Sequence, residues 1–121
     1  MRRDAARESN DDRVRVRHMV EAASQGLSFL PGRSRADLDT DHMFRRALKD
    51  CIQEIGEAAY YISEETRARA PQLPWAKIVG MRHILVHAYF SIDNDAIWKV
   101  ASQHLQELLE GLVALLASWE S

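Results

Sequence analysis

Apolar residues recur every three or four positions along four stretches of this chain. In the first, Val16, Met19, Val20, Ala23, Leu27 and Leu30 keep that spacing, which on an α-helix puts them on one face. Asp11 or Asp12 stands where an N-cap belongs, and Pro31-Gly32 stops the run. Residues 1–10 are polar and unpatterned, and are expected to form a disordered or frayed tail. Residues 33–39 make a charged connector with room for one helical turn. The second stretch starts at a cap, Thr40 or Asp41, and carries Phe44, Leu48, Cys51, Ile52, Ile55, Ala58 and Ile62. It is expected to continue unbroken to Pro71, roughly 45 Å of helix. Gly56 lies in its middle, where Gly costs about 1 kcal/mol against Ala; close approach of another helix there would offset that. Pro71-Gln72-Leu73-Pro74 is a stiff link, and Pro74 suits the first turn of a third helix. That helix carries Ile78, Val79 and Leu85 and is expected to run on through Tyr89. Asp93 or Asp95 caps the fourth, whose apolar positions are Ile97, Ala101, Leu105, Leu108, Leu109, Leu112, Leu116 and Trp119.

No strand alternation, hairpin dipeptide or internal repeat accompanies these stretches. Four amphipathic segments with short links specify an all-α fold, an antiparallel four-helix bundle. With 121 residues, 11–121 is expected to be a single domain with an ordinary core. No apolar segment follows Arg2 and Arg3, so no secretory signal is expected. The longest apolar run, 112–117, is too short to span a bilayer. One cysteine, Cys51, lies on the apolar stripe and reads as core; a reduced, cytoplasmic protein is the economical expectation. The net charge of −2 argues against a general polyanion binder. Ten of the thirteen Arg precede residue 50, so any nucleic acid contact needs a local Arg patch.

The densest chemistry lies in Gly80-Met81-Arg82-His83-Ile84-Leu85-Val86-His87-Ala88-Tyr89. On a helix, Arg82 and Tyr89 share one stripe, and His83 and His87 share a neighbouring one. Thirteen Arg and five His in 121 residues give Arg-x4-His about 0.5 times by chance, and Arg13 and His18 repeat it. Requiring a Tyr two residues later lowers the expectation to about 0.01. The set suits cleavage of a phosphodiester. A His near neutral pKa takes or gives a proton, and an Arg fork matches a phosphate and stabilises its growing charge. Attack by an RNA 2′-hydroxyl needs no more than these. The competing expectation is a surface helix whose Arg and His meet only water or a carboxylate. His83 and His87 have the four-residue spacing of zinc ligands, but no Glu follows His83 and no third ligand is near in sequence. His104 reads as a surface residue, Tyr60-Tyr61 as one ring in and one out, and Trp75, Trp98 and Trp119 as packing anchors. Glu57, beside Gly56, could act in the site or simply pair with an Arg.

These residues resemble the HepT-like branch of the HEPN domains. The matching segments are Asp11-Asp12-Arg13 through Met19, Ile55-Gly56-Glu57-Ala58, Pro74-Trp75-Ala76-Lys77-Ile78-Val79-Gly80-Met81-Arg82, Leu85-Val86-His87-Ala88-Tyr89-Phe90, and Trp98. Together they cover nearly the whole chain after the tail. The resemblance implies an RNase toxin neutralised by a nucleotidyltransferase antitoxin of the MntA type. It also implies a homodimer with two copies of the motif at one cleft. Arg82 and His87 fall on the family's catalytic Arg and His. His83 takes a supporting position that is often Asn in this branch, and Tyr89 falls on the tyrosine that the antitoxin modifies with AMP. The expectation is thus a metal-independent endoribonuclease with RNA as substrate and no cofactor. A non-catalytic HEPN dimer that binds a nucleotide or a partner protein, with Arg82 as anion receptor, is the alternative.

Overall fold

The computed structural model describes residues 2–83, 86–88 and 91–120, with side chains for 10–83 and 93–120. In chain order the elements are α1 (Arg2–Ser28), α2 (Asp37–Thr40), α3 (His42–Tyr60), α4 (Glu64–Arg69), α5 (Trp75–Gly80), β1 (Val86–Ala88), β2 (Ser91–Ile92), α6 (Asn94–Lys99), a π-helical turn (Val100–His104) and α7 (Leu105–Ser118). The fold is all-α, a helical bundle in which α1 packs on both α3 and α7, and α5 packs on α3. The predicted apolar stripes are its core. Val16 and Met19 of α1, Leu48, Ile52 and Ile55 of α3, Ile78 of α5, Ile97 of α6, and Leu105 and Leu112 of α7 are all almost fully buried. Cys51 is buried among them, and burial pushes its thiol up to about 11. It therefore stays protonated near neutral pH and packs as a small apolar residue. Among the described residues, no helix is long and apolar enough to cross a membrane.

Asp41 caps α3 by accepting from the Phe44 N–H at 3.0 Å, and Asp93 caps α6 by accepting from Ala96 N–H at 3.0 Å. Gly32, with φ of +77°, turns the chain after α1, a conformation that costs a glycine little. The connector holds one helical turn, α2.

Four features depart from the sequence reading. Helix α1 begins at Arg2, so neither Asp11 nor Asp12 is its cap. Asp12 is instead 1% exposed and ties α1 to α4: its carboxylate accepts from Ser63 Oγ at 2.7 Å, Thr66 Oγ1 at 2.6 Å and Ser63 N–H at 3.3 Å. Those bonds explain the second departure. The long second helix breaks at residues 61–63, because the Ser63 N–H goes to Asp12 and its Oγ caps α4 by accepting from Thr66 N–H. A buried carboxylate needs such donors, and one backbone N–H diverted from the helical ladder ends the ladder there.

Third, the helix expected to carry Arg82, His83, His87 and Tyr89 stops at Gly80. Residues 81–83 form a turn, and 86–88 pair antiparallel with 91–92, Val86 opposite Ile92 and Ala88 opposite Ser91. A stretch this rich in Ile, Val, Tyr and Phe favours extended backbone over a helical turn, and the extended Asp93 that caps α6 draws its end the same way. Arg82, His83 and His87 therefore do not lie on one helix, and Tyr89 lies outside the described residues. Fourth, the last helix is α to Lys99, π from Val100 to His104 and α again from Leu105. One extra residue per turn is accommodated there.

Candidate functional site

The site is built where the turn after α5 lies on the C-terminal part of α3. Residues 81–83 are held by i to i−3 backbone bonds: Met81, Arg82 and His83 donate to Ile78, Val79 and Gly80 carbonyls at 3.1, 3.1 and 3.0 Å. Met81, 7% exposed, anchors the turn in the core. Beneath it is Gly56. A Cβ there would stand 2.7 Å from the Arg82 backbone nitrogen, 3.0 Å from its Cγ and 3.1 Å from the Met81 carbonyl carbon. The close approach inferred from a glycine in mid-helix is thus real, although the approaching element is a turn and not a helix.

The next residue of α3 fixes the side chain. Arg82 Nε donates to Glu57 Oε1 at 2.8 Å. One helical turn further, Tyr60 sits under the guanidinium, 4.0 Å from ring centroid to Cζ. Glu57 and Tyr60 meet the same group because residues three apart on a helix are neighbours. Glu57, and to a smaller degree Tyr60, raise the Arg82 pKa above its ordinary value, so the cation is permanent. Arg82 has a side chain 22% exposed. One bond through Nε leaves the rest of a five-donor fork for an anion.

His83 is exposed and joins the lining of a separate groove of about 1080 Å³, formed with Pro74, Lys77, Lys99, His104 and Leu108. Arg82 is not part of that lining. One turn thus sends its two polar residues to two places. His87 is the middle residue of β1, described in its backbone only, and Tyr89 lies outside the described residues. His104 is exposed in the π-helical turn, as expected of a surface residue. Among the described residues, no three His, Cys, Asp or Glu side chains gather as a metal site requires.

Sequence reasoning left Glu57 open between two roles, and the ion pair with Arg82 places it beside the site. It missed Tyr60. Tyr60 and Tyr61 are both outside, 51% and 59% exposed, where one buried ring was expected. The i, i+3 spacing of Glu57 and Tyr60 was the available signal.

The family model for "Ribonuclease HepT-like" matches residues 19–115, from the middle of α1 into α7. This chain belongs to the HepT-like ribonuclease family. The match takes in Gly56, Glu57, Arg82, His87 and Tyr89. Among individual relatives, "Putative RNase MJ1380" of Methanocaldococcus jannaschii is 31% identical over 90 residues, 74% of this chain and 83% of the relative. "Putative RNase TTE0752" of Caldanaerobacter subterraneus subsp. tengcongensis is 29% identical over 93 residues, 77% and 83% of the two chains. "Probable ribonuclease HepT" of Thermococcus cleftensis is 31% identical over 72 residues, 60% and 66%. No solved structure matches significantly.

The seat of the HepT-like turn is directly testable. Gly56→Ala gains about 1 kcal/mol of helix propensity but drives a methyl into backbone, which costs about 1–3 kcal/mol. The site is backbone against backbone and has little room to give, so the variant should unfold at a lower urea concentration than the wild type. A midpoint equal or higher would mean that the turn does not press on α3.

Proposed function

We propose that this chain is a metal-independent endoribonuclease toxin, active as a homodimer with two copies of the motif at one cleft. What carries the proposal is Arg82, held at a fixed place on α3 by Gly56, Glu57 and Tyr60, in a chain whose relatives bear ribonuclease names. Arg82 binds the scissile phosphate and neutralises the charge that grows on it. His87 removes the proton of the neighbouring 2′-hydroxyl. The freed oxygen attacks phosphorus, the bond to the 5′ oxygen breaks, and that oxygen takes a proton from water as it leaves, the His87 imidazolium returning its own proton to solvent. The supporting role expected of His83 is not part of this step, because its side chain lines the separate groove and not the place where Arg82 meets Glu57 and Tyr60.

In purified protein on total RNA with EDTA present, His87→Ala should abolish cleavage and retain the wild-type fold. Arg82→Lys should lose most of the rate, because Lys keeps the charge and loses the planar fork. Cleavage stopped by EDTA would end the metal-free mechanism; normal cleavage by His87→Ala would end the assignment of the base. A light-scattering mass equal to one 13.8 kDa chain would remove the shared cleft.

Control is proposed to come through Tyr89. A cognate nucleotidyltransferase antitoxin of the MntA type would transfer AMP to its hydroxyl. The added phosphate would then compete for Arg82 and the added bulk would block RNA. Intact-mass spectrometry after incubation with that partner, ATP and magnesium should show additions in multiples of AMP that vanish in Tyr89→Phe. Additions that persist in Tyr89→Phe, or modified protein that cuts at full rate, would defeat this.

A further inference from the structure

At the end of α3 two consecutive tyrosines stand at least half exposed, although large aromatic rings ordinarily serve packing. Their rings meet edge to face, with centroids 5.0 Å apart and planes at 89°. Each also carries a guanidinium. Arg82 lies over Tyr60 at 4.0 Å, and Arg15 of α1 lies over Tyr61 at 5.6 Å. Arg15 is steadied by Asp12, 3.7 Å from its Nη1. The order Arg82, Tyr60, Tyr61, Arg15 is therefore a continuous run of cation, ring, ring and cation across α3 and α1, and one end of it is the proposed phosphate contact.

That alternation matches a single nucleic acid strand. The forks meet phosphates, and exposed rings stack on unpaired bases, whose faces a duplex hides. Arginine against an aromatic adds its own contribution to such a platform. A protein partner docking by apolar burial would find charges at both ends of the run and Glu57, 54% exposed in its side chain, beside one of them. We propose that Tyr60 and Tyr61, flanked by Arg82 and Arg15, form a base-stacking subsite for single-stranded RNA next to the scissile phosphate. It rests on Arg82 being the phosphate contact of a ribonuclease site, and it gives that site its substrate class: unpaired RNA, with bases turned onto α3.

The test is fluorescence anisotropy at fixed salt, with a labelled, fully 2′-O-methylated strand about ten nucleotides long, alone or annealed to its complement. Such a strand lacks the attacking hydroxyl and cannot be cut. Tyr61 does not touch Arg82 in the run, so Tyr61→Ala is the cleaner variant. It should bind the single strand about tenfold more weakly than wild type, while Tyr61→Phe, which keeps the ring, should bind as wild type does. Affinity for the duplex should be the same in all three. Both rings are exposed, so circular dichroism should show unchanged folding. Wild-type affinity in both Tyr60→Ala and Tyr61→Ala would overturn the subsite, as would an equal loss on duplex. Loss of self-association in light scattering with RNA affinity intact would assign the rings to a protein contact instead. Cleavage of a natural strand is measured alongside. If the wild type cuts and both Tyr60→Ala and Tyr61→Ala bind normally, the subsite alone falls. If the wild type cuts nothing, the ribonuclease reading falls by itself.

Discussion

A missing side chain at Gly56 sets the position of Arg82, the residue on which the account of this protein depends. The backbone of residues 81 and 82 comes so close to α3 that a single Cβ would collide with it. That contact fixes where Arg82 leaves the chain, and the Glu57 bond at 2.8 Å fixes where its fork ends up. The ion pair is partly exposed, and such pairs contribute little to stability. Its role is geometric: it holds a long, flexible side chain in one arrangement, which would lower the ordering cost of binding the proposed phosphate.

The same logic, a polar group used to place an element, recurs at Asp12. Its buried carboxylate gathers Ser63 and Thr66 and ends α3 just after Tyr60 and Tyr61. Had the helix run unbroken to Pro71, residues 61–63 would have stayed in the helical ladder. The break lets the tyrosines sit at a helix end, where both rings reach the surface near Arg15 and Arg82. A contact between α1 and α4 thus shapes the surroundings of a turn that follows α5.

Much of the fold was legible because amphipathic spacing is a direct consequence of helical geometry. The stripes on α1, α3 and α7 became the core nearly residue for residue, and the caps Asp41 and Asp93 did what short acceptor side chains do at helix starts. What failed had non-local causes. Nothing near Ser63 in sequence announces that Asp12, 51 residues away, will claim its N–H. The helix expected through Arg82 and His87 was inferred from its neighbours and overruled by residues that favour extended backbone.

For the candidate site, the sequence located Gly56, Glu57 and Arg82 as points of interest but could not join them, since their meeting depends on α5 folding back on α3. It placed Arg82 and His83 together, whereas the turn separates them, His83 lining the groove and Arg82 meeting Glu57 and Tyr60. The chemistry proposed for this arrangement leaves a signature in its products. Mass spectrometry of fragments from a defined oligoribonucleotide, cut with EDTA present, reads it directly. Attack by the 2′-hydroxyl on a phosphate held by Arg82 yields a 2′,3′-cyclic phosphate on one fragment and a 5′-hydroxyl on the other. Fragments ending in a 3′-hydroxyl and a 5′-phosphate would mean that water attacks from elsewhere, and would contradict the roles given to Arg82 and His87.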